Sequence, residues 1–98
     1  MASMAKCENI AAQVATNLGN SIKSKSAGED AKEGMAYCSG TLNNGLTFSV
    51  LDINEGNRCN VEVSSTSITS TINVPSSWTN STIATRAANA YKGASNTR

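Results

Sequence analysis

Residues 46–63 read LTFSVLDINEGNRCNVEV and carry the clearest structural pattern in the chain. Apolar and polar side chains alternate on both sides of the turn sequence NEGN, residues 54–57, and this combination predicts a β-hairpin. Closing Ile53 onto Arg58 fixes the register of the two strands. The predicted cross-strand pairs are Phe48 with Val63, Val50 with Val61, and Asp52 with Cys59. One face of the hairpin is therefore apolar, and the reverse face carries Ser49, Leu51, Ile53, Asn60 and Glu62.

Turn residues extend this hairpin into a four-stranded antiparallel meander over residues 35–74. A three-residue loop at 43–45 (NNG) aligns Cys38 with Val50, because a two-residue turn would move the apolar side chains to the polar face. A tight turn at Ser65-Thr66 is predicted to close the last pair. It would place Val63 opposite Ile68 and Cys59 opposite Ile72. Pro75 ends the last strand, since proline cannot donate to a ladder.

One helix is predicted before the meander in the sequence and another after it. Apolar residues recur at three- and four-residue steps from Met4 to Ile22, with Ser3 as the cap and Gly19-Asn20 as an early stop. A second helix is predicted over residues 81–92, capped by Asn80 and stopped by Gly93. Residues 23–34 are rich in charge and have almost nothing to bury, so they are interpreted as a mobile connection.

The predicted fold is α+β, with two layers in the order α-β-β-β-β-α and both helices on the apolar face of the sheet. Residues 1–98 form one domain, with residues 1–3 and 94–98 frayed. The predicted core is Cys7, Ile10, Val14, Leu18, Leu42, Leu46, Phe48, Val50, Val61, Val63, Ile68, Ile72, Val74, Ile83 and Ala87.

The composition argues against several classes of partner. Eight Lys and Arg face seven Asp and Glu, and 15% of the residues are charged. With a formal net charge of only +1 and few aromatic residues, we expect no nucleic-acid binding, and no apolar run is long enough to cross a membrane. Ser, Thr and Asn make up 36 of the 98 residues. This uncharged polar composition favours an extracellular, periplasmic or viral protein over a cytoplasmic one, although the sequence does not fix the location.

The chain contains no histidine, which removes the commonest general base and the commonest metal ligand. The carboxylates do not replace it, because Asp52 and Glu62 are predicted on opposite faces of the sheet. We therefore expect no catalysis, no cofactor and no metal. A cysteine-dependent enzyme is a distant alternative, since a thiol nucleophile would lack a base to activate it.

The three cysteines allow a disulfide that involves the first helix. Cys38 and Cys59 lie on strands that flank a central strand, so their backbones are roughly 9–10 Å apart, too far for a bridge. Cys7 lies on a helix that packs on the face to which both point. A disulfide from Cys7 to Cys59 or to Cys38 is therefore allowed. The alternative is three buried free thiols that act as small apolar side chains.

The reverse face of the sheet is the predicted binding surface. It presents Ser and Thr residues, including Thr69 and Thr71, with an apolar corner formed by Tyr37, Leu51 and Ile53. Clustered apolar residues on an exposed sheet favour a partner protein or self-association, for example as a homodimer. Outside this sheet face, Trp78 is a candidate binding anchor, although a lid over the core is the more ordinary role.

The sequence thus favours a non-catalytic protein-protein interaction module, such as a small secreted or phage-type effector or inhibitor. The alternative is a structural subunit of a homo-oligomer or surface filament. A helix followed by a four-stranded meander resembles the head of a pilin, but this is an analogy of fold alone.

Overall fold

Five antiparallel strands follow one another across a single sheet, with one helix before them and one after. The computed structural model describes residues 2–96. The elements are α1 (Met4–Asn17), β1 (Ile22–Asp30), β2 (Met35–Leu42), β3 (Thr47–Ile53), β4 (Arg58–Ser64), β5 (Thr69–Val74) and α2 (Asn80–Asn96). The α+β class, the antiparallel meander and the helix at each end are confirmed, but the sheet has five strands rather than four.

The additional strand is β1, which lies where a mobile connection was predicted. It runs antiparallel to β2 at the edge of the sheet, from the pair Ile22–Leu42 to the pair Asp30–Met35, with an irregularity between Ile22 and Ser24. None of its nine residues is fully buried. The strand is therefore held by its backbone ladder with β2, which leaves little trace in an apolar pattern.

The registers around β3 agree with the prediction. Cys38 pairs with Val50 across β2 and β3, and Val50 pairs with Val61 across β3 and β4. The backbone N–H of Leu42 donates to the carbonyl oxygen of Leu46 at 2.8 Å, which closes the three-residue loop.

The predicted register of β4 and β5 is wrong by two residues. Val63 pairs with Ser70 rather than Ile68, and Cys59 pairs with Val74 rather than Ile72. The connection is a four-residue turn over residues 65–68 instead of a two-residue turn. It forms because the backbone N–H of Ser65 donates to the carbonyl oxygen of Ile68 at 2.8 Å, and the hydroxyl of Ser65 accepts from the N–H of Ile68 at 3.0 Å.

Helix α1 begins and ends as predicted, whereas α2 differs at both ends. The Ser3 hydroxyl accepts from the N–H of Lys6, and Gly19 follows α1 with φ +69°. In α2 the capping side chain is Thr79, which accepts from the N–H of Thr82 at 3.1 Å, and the helix continues through Gly93 to Asn96. Residues 94–96, predicted to be frayed, are thus its last turn; residues 1, 97 and 98 lie outside the described residues.

Both helices pack on the same face of the sheet, as predicted. Helix α1 lies over β1, β2 and β3, helix α2 lies over β4 and β5, and the two helices contact each other. The core lies between these layers and includes the predicted residues with three exceptions. Leu18 and Ile72 are half-buried and pack against it, whereas Ile68 is half-buried in the turn between β4 and β5 and is not part of it. Alanines 11, 15, 36, 84 and 88 are buried in addition to the predicted residues, and their small side chains let the helices approach the sheet and each other.

Strands β1 and β2 approach very closely at Gly40. A Cβ atom at this position would lie 2.0 Å from the carbonyl oxygen of Ser24 and 2.8 Å from the Cα of Lys25. The obstacle is backbone, which cannot rotate away. Only glycine fits beside the irregularity of β1.

Candidate functional site

The face of the sheet turned away from the helices is called here the outer face. Cross-strand pairing arranges its side chains in rows that run from β1 to β5. The central row is Gly28, Tyr37, Leu51, Asn60 and Asn73. One neighbouring row is Asp30, Met35, Ile53 and Arg58, and the other is Ser26, Ser39, Ser49, Glu62 and Thr71.

The apolar corner lies on the outer face where it was predicted. Tyr37 is 42% exposed, and it pairs directly with Leu51. Leu51, Ile53 and Met35 are half-buried. The corner is therefore one exposed aromatic ring beside three partly covered aliphatic side chains. Met35 was not included in the predicted corner, although it lies two residues before Tyr37 on β2 and therefore on the same face of the sheet.

A shallow depression of about 340 Å³ opens beside Tyr37. Its lining residues are Gly28, Glu29, Asp30, Met35, Ala36, Tyr37 and Leu51. A Cβ atom at Gly28 would lie 2.8 Å from Cε1 of Tyr37. The tyrosine ring therefore occupies the space that a side chain at position 28 would need, and it lies over Gly28 toward the β1 edge of the sheet.

Serine and threonine hydroxyl groups are concentrated on the outer face on the side of the central row opposite Ile53. Ser24 Oγ and Thr41 Oγ1 lie 2.8 Å apart, and Ser64 Oγ and Thr69 Oγ1 lie 3.1 Å apart. The predicted face residues Thr69 and Thr71 belong to this region, are exposed, and lie on the edge strand farthest from β1. The structure thus does not bring them together with Tyr37.

Trp78 lies apart from the outer face. It is half-buried and packs against the core between the sheet and the helices. The guanidinium carbon of Arg86 lies 5.2 Å from the centroid of its ring, a cation–π contact. These contacts account for the position of Trp78 as part of the core edge.

The three cysteines lie in the core as free thiols. Burial, and after it the nearby carboxylate of Asp52, raise the pKa of the Cys7 thiol to about 12 and that of the Cys59 thiol to about 11. Burial also raises the pKa of Cys38. At neutral pH all three are protonated. A bridge from Cys7 to Cys59 or Cys38 under oxidising conditions stays a prediction.

A buried polar cluster of Lys6, Asp52 and Ser76 ties three parts of the fold together. The Ser76 hydroxyl donates to Oδ1 of Asp52 at 2.6 Å, and Lys6 Nζ donates to the Ser76 hydroxyl at 3.1 Å and to its carbonyl oxygen. Lys6 Nζ lies 3.8 Å from Oδ2 of Asp52. Asp52 is fully buried, and its Oδ2 accepts no hydrogen bond within the described residues.

This cluster was not predicted, although the register already placed Asp52 opposite Cys59 on the core face. A carboxylate at a core position requires a buried partner, and that signal could have identified Lys6, the neighbour of Cys7 on α1. The cluster joins α1 and the β5–α2 connection to β3. Its hydrogen bonds are internal, and none of its three residues lines the depression beside Tyr37.

Within residues 2–96, no group of three or more Cys, Asp or Glu side chains is arranged to hold a metal ion. Neither helix has the length and apolar character that crossing a bilayer requires.

No family model matches the chain, and neither a curated protein nor a solved structure matches it.

Proposed function

We propose that this chain is a non-catalytic protein-binding module whose contact surface is the outer face, centred on Tyr37. The observation that carries the proposal is the exposure of Tyr37. Among residues 2–96 the exposed large hydrophobic side chains are Met4, at 36%, and Tyr37, at 42%. Tyr37 alone of the two stands on a flat surface with other apolar side chains around it.

The surroundings of Tyr37 favour a protein partner. Tyrosine is enriched in interfaces because it offers a large contact area with few rotatable bonds and a hydroxyl that tolerates water. Leu51, Ile53 and Met35 continue the apolar surface, and the hydroxyl rows beside it can hydrogen-bond to a partner. This arrangement corresponds to an apolar centre with a polar rim.

The core chemistry supports a non-catalytic role. Thiolates rather than thiols are nucleophiles, and the raised pKa values keep Cys7, Cys38 and Cys59 protonated at neutral pH. Asp52 is committed to Lys6 and Ser76 inside the molecule. The support for a cysteine-dependent enzyme is correspondingly weak.

The test replaces Tyr37 and compares what the two proteins bind. Immobilised wild-type protein and the Tyr37→Lys variant are exposed to lysate, and the retained proteins are quantified by mass spectrometry. Self-association is measured separately by sedimentation. Thr85→Lys, on the exposed side of α2, is the matched control, and circular dichroism establishes that each variant folds.

We expect at least one partner, a second copy included, that binds the wild type and Thr85→Lys equally and loses at least tenfold in affinity for Tyr37→Lys when tested as a purified protein. If every complex formed by the wild type persists with Tyr37→Lys, or if no complex forms at all, the proposal is wrong.

A further inference from the structure

The outer face is complementary to itself, and we propose that its partner is a second copy of this chain. The two copies would be related by a two-fold axis that runs along the central row of Tyr37, Leu51 and Asn60. This inference rests on the proposed function and deepens it by naming the partner.

The symmetry follows from the order of the rows. A two-fold axis along the central row reverses the strand direction and exchanges the two neighbouring rows. Each strand then faces the same strand of the other copy in an antiparallel orientation. On β4, the row with Arg58 meets the row with Glu62 of the partner subunit, because these residues lie two positions before and two positions after Asn60.

The charges of the outer face fit this arrangement. Arg58 and Glu62 are exposed, and within residues 2–96 neither forms an ion pair. The proposed axis pairs Arg58 of each copy with Glu62 of the partner subunit, giving two symmetric ion pairs. The other charged residue of these rows, Asp30, already accepts hydrogen bonds from the N–H groups of Lys32 and Glu33. No like charges are brought together.

The apolar corner falls at the centre of the same interface. Tyr37 and Leu51 lie on the axis, so each meets its own counterpart from the other copy. An isologous interface is built in this way, with one surface patch used twice. The Ser residues opposite Met35 and Ile53 are short, which lets the two sheets approach to the ordinary packing distance of about 10 Å.

The size of the interface predicts a weak dimer. Five strands about 4.8 Å apart and three rows about 7 Å apart cover roughly 500 Å² on each copy, or about 1000 Å² in total. Specific interfaces begin near this value, and those at the lower end are transient. Association should therefore depend on protein concentration, and it should weaken with salt because ion pairs contribute.

The experiment uses charge reversal in sedimentation equilibrium, with reductant present so that no disulfide joins the copies. The wild type is expected to rise from 10.1 kDa toward twice that mass as its concentration increases. Arg58→Glu alone and Glu62→Arg alone should each associate at least tenfold more weakly, because each places two like-charged pairs across the axis. Lys92→Glu, on α2, is the charge-reversal control and should associate like the wild type.

The decisive measurement is an equimolar mixture of the two variants. In a heterodimer, the carboxylate introduced at position 58 of one chain would meet the guanidinium introduced at position 62 of the other. The unchanged Glu62 of the first chain would meet the unchanged Arg58 of the second, so association should return to the wild-type level. Failure of the mixture to associate overturns the proposed axis, and so does a variant that dimerises as well as the wild type.

The outcomes also separate this inference from the proposed function on which it rests. A wild type that stays monomeric but binds another protein through Tyr37 overturns this inference and leaves the proposed function standing. Absence of both kinds of binding overturns the two together.

Discussion

Removing the amine of Lys6 should destabilise the fold far more than removing an exposed amine that makes a shorter ion pair. Lys6 Nζ lies 3.8 Å from the fully buried carboxylate of Asp52 and also bonds Ser76. Lys6→Met would leave a buried charge with only the Ser76 hydroxyl to stabilise it. Breaking a buried pair in this way costs about 3–5 kcal/mol.

The matched control is Lys25→Met. Lys25 Nζ lies only 3.1 Å from Oε2 of Glu8, but the two side chains are 44% and 32% exposed. Water screens this pair, so its loss should cost at most about 1 kcal/mol. The comparison separates the effect of burial from the effect of distance.

Urea denaturation at pH 7, followed by the fluorescence of Trp78, measures both variants. With an m value of about 2 kcal/mol/M, the loss in Lys6→Met corresponds to a fall in the midpoint of about 1.5–2.5 M, against about 0.5 M or less for Lys25→Met. The total free energy of unfolding of a typical domain is about 5–15 kcal/mol. The Lys6→Met variant should therefore lose a large share of its stability.

A double-mutant cycle tests the physical reason. Asp52→Asn removes the charge, so the Lys6→Met, Asp52→Asn double variant has no ion left to bury and should be more stable than Lys6→Met by at least about 2 kcal/mol. Additive losses, or a Lys6→Met midpoint within 0.5 M of the wild type (about 1 kcal/mol), would show that Asp52 does not depend on Lys6.

Two further predictions concern glycines and thiols. Gly40→Ala should lower the free energy of unfolding by about 3 kcal/mol or more, because the new Cβ atom would meet backbone atoms of β1. Gly93→Ala, in α2, should raise it by about 0.5–1 kcal/mol, because a Cβ atom there would have no neighbouring atom within 4 Å. The urea midpoints of the two variants test the difference. Stability should also fall as pH rises above 9.0. The thiols of the unfolded chain lose their protons there, whereas in the folded protein the pKa is raised to about 12 for Cys7 and to about 11 for Cys59. The unfolded chain therefore binds fewer protons, and the free energy of unfolding falls by about 1.4 kcal/mol per pH unit for each thiol. Stability is unaffected by this cause below pH 9.0, and urea titrations from pH 8 to 10.5 should show a shallower decline in Cys7→Ala; an equal slope in both proteins would contradict the assignment.

The parts of the fold that could be predicted are those where side chains of opposite polarity alternate around a recognisable turn. The turn at residues 54–57 fixed the pairing of Val50 with Val61, and period two then assigned a face to every residue of the central strands. The slip of two residues between β4 and β5 left this assignment intact, because an even shift keeps each side chain on its face. The side chain of Ser65 stabilised a longer turn that the alternation alone does not show.

Strand β1 and the buried cluster escaped prediction for a different reason. Residues 22–30 are held by backbone hydrogen bonds to β2, so their side chains carry almost no apolar signal. Lys6 and Ser76 are far apart in the sequence and meet only when α1 and the β5–α2 connection dock on β3. The exposed position of Tyr37 was predictable from register, whereas its contact with Gly28 depended on the unpredicted strand.

The order of the strands has a consequence for how the chain folds. Since every strand pairs with its neighbour in the sequence, the sheet can assemble by closing a succession of short loops, each with a small loss of chain entropy. The contact between α1 and α2 is different, because it joins the two ends of the described chain and costs less chain entropy once the meander has brought them together. We therefore expect the contacts between hairpin strands to form early and the helix contact to form last. Weakened helix packing should then accelerate unfolding and leave the folding rate nearly unchanged.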